Sequence, residues 1–488
     1  MDPNLDAGAS RSSDGVCPND RYSATPTDIG YEDSSGYKNR RCRDELARPP
    51  RKMKFHATLC PGCCIACGLY MDEVGGRIFH RKRAPQNEGK LCPFGMFLPQ
   101  FYSRPEAESR VGGKKVELQE ALEAAKKKIE EYGKEVLFVA GRATNEEMAS
   151  LVSLAEKLGA SASSWSPSPS VNSFNDLENA GKLSVAFLDT FISYPLIARR
   201  ILKAIEKGAK VKEISWVRSG KINSELVEPT SAEPDGLVIA DLNPFTASIS
   251  SMRGILFKPS VNSDGAFALG LRPSEKKGKA VFAIEPSPVE EAMLGDLKPE
   301  TLIVQSAYQS DWTEKADIVL KSDRFFEKEG SILNVEGRTL PMHGSSRKGV
   351  GILSSIGGSN YEDARKRVLN SLGIESISED RTLKIDGSWE KKGEFRIRGS
   401  GDKTLFTKTN PFFWSGIGHR DFIEININTV RELGIKRGEK VQVDDGASKK
   451  EFYFKISDVP DGFAVSEIRA TQEPGVLTKV SLRKGGAQ

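Results

Sequence analysis

The sequence predicts an α/β chain with a cysteine-rich module near its N-terminal side, a doubly wound parallel-sheet body and a C-terminal β-barrel. Three observations carry this. Four of the seven cysteines fall within CPGCCIAC, starting at Cys60, and a fifth follows at Cys92. From about residue 117, short continuous apolar strands alternate with amphipathic helices. Strands of that kind are buried on both faces, which is what a parallel sheet covered by helices requires. Beyond about residue 400 the texture becomes β-rich, with one short helix at TVRELG.

A chain of 488 residues is long enough for about two to four domains. Its 71 basic and 67 acidic residues leave a net charge of +4. That balance gives no global attraction to nucleic acid or to a membrane surface. The chain contains no run of roughly 18 apolar residues, so no membrane-spanning helix is expected. Secreted disulfide frameworks spread their cysteines over the fold. Clustering such as this one reads as a metal or cluster site in a reducing compartment, and the expected location is cytoplasmic. Arg40-Arg41 is followed by CRDELARPP rather than an apolar stretch, so it does not read as an export signal.

Residues 1–52 are polar and without hydrophobic period, and are expected to be a disordered tail. MKFHATLCPGC resumes abruptly at Met53, a candidate initiator that would make the tail an over-long start. Residues 53–104 form the cysteine module, in which GLYMDEVGGRIFHRK reads as a hairpin around Gly75-Gly76. The body is expected over 105–345. ELQEALEAAKKKIEEYG places Leu118, Leu122, Ala125, Ile129 and Tyr132 on one helical face and stops at Gly133. EVLFVAG is a buried strand. Thr144 with Glu147 then forms a capping box. SVAFLD, AKVKEIS, GLVIADLNP, AVFAIEPSP, ETLIVQS and ADIVLKS are further strands, with the helix PLIARRILKAIEKG ending at Gly208. Residues 346–399, rich in Gly, Ser and charge, are expected to be a connection, and 400–488 the barrel.

Cys60, Cys63, Cys67 and Cys92 give C-x2-C-x3-C-x24-C. Three thiolates on a tight loop cover one face of a cuboidal cluster, and a fourth from a distant loop closes it. Four cysteines are what a [4Fe–4S] cluster requires. A four-cysteine zinc site is the other reading, although zinc usually takes paired C-x2-C knuckles and the second knuckle is missing. Cys64 is a spare thiol, either a stand-in ligand or inert. Cys17 and Cys42 have no visible role.

The sequence resembles the molybdopterin oxidoreductases, and most of all the catalytic α subunit of formate dehydrogenase. CPGCCIACG and NEGKLCPFG resemble the cluster domain of that family. GRATNEEMASLVSLAEKLGA, YPLIARRILKAIEKGAKV, NSDGAFALGLRP, VQSAYQSDWTEKADIVL and EKEGSILNVEGRTLP resemble pterin-domain segments. DFIEININTVRELGIKRGEKVQV resembles the C-terminal dinucleotide-binding barrel, which implies a double-psi-like fold. The resemblance implies a [4Fe–4S] cluster beside a molybdopterin guanine dinucleotide carrying molybdenum or tungsten. It implies two-electron chemistry on a small carbon substrate, with electrons leaving through the cluster. Gly265, Gly270 and Gly330 read either as glycines that let the backbone approach pterin phosphates or as ordinary turn glycines. Asn334 and Arg338 match family positions near the cofactor, with a surface-loop role as the other reading, and Asn262 is a further candidate for binding it. With no flavin or nicotinamide motif visible, the expected partner is another iron–sulfur or flavoprotein redox subunit.

The sequence also departs from the family. Ser166 stands at the metal-ligand position in WSPSPSV, with Pro167 where a histidine is usual, and no cysteine follows Cys92. Phe94 replaces the lysine two residues after the fourth cluster cysteine. SWVRS replaces Asp-Pro-Arg after AKVKEI, and the stretch from Arg218 to Asn262 is short. His419 in SGIGHRD reads as a loop histidine. Two functions follow. One is a formate-dehydrogenase-like oxidoreductase with Ser166 on the metal. The other is a non-catalytic electron-transfer or scaffold subunit that keeps the cluster without the metal, as the complex I iron–sulfur subunit does.

Overall fold

A computed structural model describes residues 55–72, 76–164, 172–186, 194–215, 224–227, 233–241, 254–258, 260–273, 278–286, 298–384, 398–407, 422–446, 448–466 and 477–486, with the single residues 170, 188, 190 and 222. The tail 1–52, Ser166, Pro167 and His419 lie outside the described residues.

Phe55–Leu59 (β1), Gly68–Asp72 (β2) and Ile78–His80 (β3) form an antiparallel sheet in the order β1-β2-β3. β2 and β3 are the expected hairpin. Gly76 sits in the left-handed region, with φ 60°, and donates to Asp72 O at 3.1 Å. β1 was not evident in the sequence. It pairs along β2 from Phe55↔Asp72 to Leu59↔Gly68 and so delivers Cys60 at its end.

The body contains Arg110–Val111 (β4), Lys114–Lys115 (β5), Val136–Ala140 (β6), Ser161–Ser164 (β7), Lys182–Ala186 (β8), Lys210–Ile214 (β9), Glu225–Val227 (β10), Leu237–Asp241 (β11), Gly254–Phe257 (β12), Ala280–Ile284 (β13), Thr301–Ser306 (β14) and Ile318–Lys321 (β15). The alternation predicts one doubly wound sheet, and the structure holds two. One runs β5-β4-β15-β14-β13-β6-β7 and the other β10-β9-β8-β11-β12. The chain leaves the first sheet after β7, builds the second, and returns at β13. Both sets of strands have the same apolar texture, so nothing in their residues marks which sheet each joins. In the first sheet the order reverses at β6, between β13 and β7. Ligands of open α/β sheets bind outside the carboxyl ends of the strands at such a reversal.

The helices follow their sequence signals. Leu118–Tyr132 buries Ala121, Leu122, Ala125 and Ile129 and ends at Gly133. Asn145–Leu158 begins on the Thr144–Glu147 capping box and ends at a left-handed Gly159. The cysteine module is not an independent bead. Cys60, Phe94 and Leu98 share one core with Leu183, Ile255 and Phe257 of the five-stranded sheet.

Glu329–Leu333 (β16) and Thr339–His343 (β17) form a hairpin. The following segment corrects the expected connection at 346–399. Helices Lys348–Ser355 and Tyr361–Leu372 belong to the body core, where Ala364 and Val368 are fully buried beside Leu151 and Ala155. Ser150 Oγ also donates to Ser359 O at 2.7 Å. The polar outer faces of these helices dominate the composition and hide the few apolar residues that dock them.

At the C-terminal side are Arg398–Gly399 (β18), Lys403–Thr407 (β19), Phe422–Ile425 (β20), Lys440–Asp444 (β21), Lys449–Ile456 (β22), Phe463–Ser466 (β23) and Leu477–Lys484 (β24). Their order is β18-β24-β19-β23-β20-β22-β21, and β24 also pairs with β21, so six strands close on themselves. This is the barrel the sequence predicts, filled by Leu405, Ile423, Val441 and Val480. Its helix, Ile427–Leu433, is capped by Asn426, which accepts from Thr429 N at 2.7 Å. Among the described residues no helix is long and apolar enough to cross a membrane.

Candidate metal centre

The cysteine loop is held open by its own backbone. Cys60 N donates to Cys67 O at 2.8 Å, and Ala66 N to Cys63 O at 3.1 Å. Ala66 takes a left-handed φ of 55°, which a non-glycine residue adopts only where its surroundings impose it. Gly62 has no room for a side chain: a Cβ there would meet the Phe94 ring at 2.1 Å. Phe94 is buried and closes over the loop from the turn that begins at Cys92. In this chain it acts as an apolar lid.

The four predicted ligands converge. Burial raises the pKa of the Cys60, Cys63, Cys67 and Cys92 thiols, that of Cys63 to about 12. Beyond burial, Cys60 feels Cys92 and Cys63, Cys63 feels Cys92, and Cys67 feels the other three. Backbone N–H groups point at these sulfurs: Gly62 at Cys60, Ile65 and Ala66 at Cys63, Gly95 and Phe94 at Cys92. Such donors stabilise thiolates and tune the potential of a cluster they bind. Among the described residues no three His, Cys, Asp or Glu side chains are grouped closely enough for a single metal ion. Thiolates on one tetrahedral zinc sit about 3.8 Å apart, whereas those on a cuboidal cluster grip separate corners.

Cys64 faces elsewhere. Among the thiols it feels Cys63 alone, and its Sγ accepts from Lys258 N at 3.3 Å. Lys258 Nζ lies 2.5 Å from Asp264 Oδ1, and Ser170 N donates to the same oxygen at 3.0 Å. Ser170 Oγ further accepts from Leu256 N at 2.9 Å. This network anchors Ser170 against β12.

Four of the candidate pterin residues are built into the same interior. Asn262, at a left-handed φ of 65°, donates Nδ2 to Ala143 O at 2.9 Å and accepts from Leu333 N at 2.8 Å. A Cβ on Gly265 would meet Asn145 Oδ1 and Asn262 Oδ1, each at 2.1 Å. One on Gly330 would meet Glu146 Oε2 at 2.7 Å. Asn334 donates to Ile65 O at 3.2 Å and accepts from Arg338 N at 2.9 Å. Beside it, Val335 N donates to Cys64 O at 2.9 Å. Asn334 ties the body to the cysteine loop, while Asn262, Gly265 and Gly330 pack within the body.

Sequence reasoning missed the polar groups at the carboxyl edge of the seven-stranded sheet. Arg142 follows β6, Glu285 follows β13 and Tyr308 follows β14. Arg104 stacks over Phe101 at 3.9 Å and Tyr308 at 4.7 Å. Burial, and then the charge of Arg142, lower its pKa to about 10. Arg142 also acts on Cys60, so this edge faces the cysteine loop. The buried hydroxyls of Tyr102 and Tyr308 have no hydrogen-bond partner among the described residues. Glu285, with φ 43°, is already taken by Lys328 at 2.9 Å, which also holds Glu147 at 2.8 Å. Their position at the β6–β13 reversal was the signal that pointed to them, and it exists only once the strand order is known.

Residues 53–104 match the family described as the molybdopterin oxidoreductase Fe4S4 domain. The chain carries a molybdopterin oxidoreductase Fe4S4 domain. It is homologous to the F420-dependent formate dehydrogenase subunit alpha of Methanocaldococcus jannaschii, with 32% identity over 189 residues covering 33% of this chain and 28% of that protein. It is similarly related to F420-dependent formate dehydrogenase 1 subunit alpha of Methanococcus maripaludis, with 30% identity over 196 residues and 28% of that protein covered. The chain thus spans under a third of the length of these relatives. Acetylene hydratase from Pelobacter acetylenicus shares the fold, with a TM-score of 0.52 at 12% identity, over 84% of this chain and 92% of that one.

The residues of this molybdopterin oxidoreductase Fe4S4 domain fit its cluster, because four thiols converge with backbone donors around them. The neighbouring edge fits a phosphate-bearing pterin. Burial and the neighbouring Arg142 charge disfavour the Arg104 cation, and the Tyr102 and Tyr308 hydroxyls lack partners among the described residues, a setting that suits an anionic group.

Proposed function

We propose that this chain is a formate-dehydrogenase-like oxidoreductase subunit, cytoplasmic, which passes electrons through a [4Fe–4S] cluster to an iron–sulfur or flavoprotein partner. The observation that carries it is the convergence of Cys60, Cys63, Cys67 and Cys92 against the sheet edge of Arg104 and Arg142. The four thiols would hold the cluster, and Phe94 would keep water from it. Arg104 and Arg142 would receive the phosphate of a molybdopterin, with the Tyr102 and Tyr308 hydroxyls donating. A bound pterin–metal centre would supply the two-electron chemistry. Ser166 would be the candidate molybdenum or tungsten ligand of that centre. Formate-dependent reduction of a viologen dye by protein purified anaerobically from its own host, lost in Ser166→Ala with iron content unchanged, supports this reading.

A second reading is a non-catalytic electron-transfer subunit with the cluster alone. Two observations favour it. No cysteine follows Cys92. The buried cation Lys258 is neutralised by Asp264 rather than offered to an anionic substrate. Stoichiometric iron without molybdenum or tungsten, and no dye reduction, selects this reading.

A further inference from the structure

The strip from Lys82 to Phe97 crosses the outside of the cluster loop, and its surface is unlike that of the rest of the module. Cys92, like Cys63, is partly exposed, although its partners Cys60 and Cys67 are buried. It begins the turn Pro93–Met96, and Met96 N donates to Cys92 O at 3.0 Å. Met96 and Phe97 stand 49% and 51% exposed directly beyond it. Large apolar side chains exposed side by side usually mark a contact surface.

The rim of this patch is basic. Lys82, Arg83 and Lys90 are exposed and make no ion pair among the described residues. Lys82 packs against Gly89, where a Cβ would lie 2.9 Å from Lys82 Cα, so the first basic pair is folded beside Lys90 and the approach to Cys92. The sole acidic residue of the strip, Glu88, is turned away onto Arg199 at 2.7 Å and Lys203 at 3.4 Å. An apolar centre beside a partly exposed ligand, ringed by unpaired cations, is the form of a surface that steers a negatively charged electron carrier and then desolvates against it.

We propose that Met96 and Phe97, rimmed by Lys82, Arg83 and Lys90, form the docking surface for an acidic electron-carrier protein, which exchanges electrons with the cluster at Cys92. The proposal rests on the reading that the four cysteines hold a [4Fe–4S] cluster. Each encounter moves one electron. The reduced [4Fe–4S]+ cluster is oxidised to [4Fe–4S]2+, the carrier is reduced by one electron, and no bond is made or broken.

Full-length, cluster-loaded protein, reduced and freed of reductant, is mixed by stopped flow with one of three oxidants. These are plastocyanin as an acidic one-electron acceptor, cytochrome c as a basic one, and duroquinone as a small uncharged control. The proposal predicts that the rate with plastocyanin exceeds that with cytochrome c and falls steeply with salt. Lys82→Glu/Arg83→Glu/Lys90→Glu lowers the plastocyanin rate at least tenfold and raises the cytochrome c rate, with the duroquinone rate unchanged. Phe97→Ser lowers the plastocyanin rate severalfold and leaves its salt dependence intact. A plastocyanin rate that ignores both salt and charge reversal overturns the docking surface while leaving the cluster in place. Absence of a reducible four-iron signal overturns the cluster reading itself, and the two failures are told apart by iron content and electron paramagnetic resonance before mixing.

Discussion

Lys258 Nζ lies 2.5 Å from Asp264 Oδ1, with side chains 0% and 1% exposed, and the backbone of the same lysine donates to Cys64 Sγ. This pair therefore ties the cysteine loop, the end of β12 and Ser170 into a single buried unit. Burial raises the Asp264 pKa, and Lys258 opposes that rise. Breaking such a pair leaves an uncompensated charge in the interior, whereas replacing both partners with apolar groups removes the need for either. Lys258→Met is expected to cost about 3–5 kcal/mol. Lys258→Met/Asp264→Leu should recover much of that loss, as read from urea-denaturation midpoints. Equal loss in the single and the double variant would show that packing, not charge, dominates here.

Cys64 should be dispensable for the cluster. Its sulfur accepts from Lys258 N, and it feels only one of the four converging thiols. Cys64→Ala is expected to keep about four Fe per chain and an unchanged [4Fe–4S] spectrum. Cys92→Ser should lose the cluster or convert it. Iron assay and electron paramagnetic resonance on the two variants check the assignment directly.

The metal-free protein should weaken in alkali. Burial raises the Cys63 pKa from 9.0 to about 12 in the folded chain, while the unfolded thiol ionises near its ordinary value. The folded state thus holds a proton that the unfolded state releases. The stability this contributes is fully present below about pH 9. It is lost progressively as the pH rises toward the folded value, because the unfolded state then binds fewer protons. Thermal melts of iron-free protein should be level up to about pH 9 and fall steadily above it. Cluster-loaded protein, whose thiolates are already deprotonated by iron, should not show that slope.

The fold was legible where local chemistry decided it. The stop at Gly133, the Thr144–Glu147 box and the hairpin near Gly76 all follow from residues within a few positions of one another. The four cysteines were legible because thiol spacing carries its own meaning. The division of the body into two sheets was not, because the central strands of each, such as LVIAD at β11 and AVFAI at β13, share one apolar texture. Nor was the docking of Tyr361–Leu372, where two buried residues, Ala364 and Val368, are set among charged ones. Arg104, Arg142 and Tyr308 meet only through strand order, and no motif around any of them announces the other two.

The sheet edge should bind an anion. Arg104 and Arg142 repel each other across buried surface, and the Tyr308 hydroxyl lacks an acceptor among the described residues. Inorganic pyrophosphate, added to pterin-free protein, is expected to raise its melting temperature. At about one hundred times the dissociation constant the gain is about 2.7 kcal/mol. Arg104→Ala should abolish this response and, by relieving the repulsion, leave the ligand-free protein no less stable.

Gly62 and Phe94 form a matched pair. A Cβ at Gly62 would meet the Phe94 ring at 2.1 Å, so Gly62→Ala must push the lid off the cysteine loop. Faster loss of the cluster in air is expected, measured as the decay of its visible absorbance. Phe94→Leu in the same chain should restore part of the lifetime.

The central claim is that four cysteines hold a four-iron cluster beside a pterin-binding edge. It is tested most directly by iron, zinc, molybdenum and tungsten per chain in protein purified without oxygen from its own host. The account predicts about four Fe with negligible zinc, and a decision between the two proposed functions by whether molybdenum or tungsten accompanies it. One zinc per chain without iron would contradict the account.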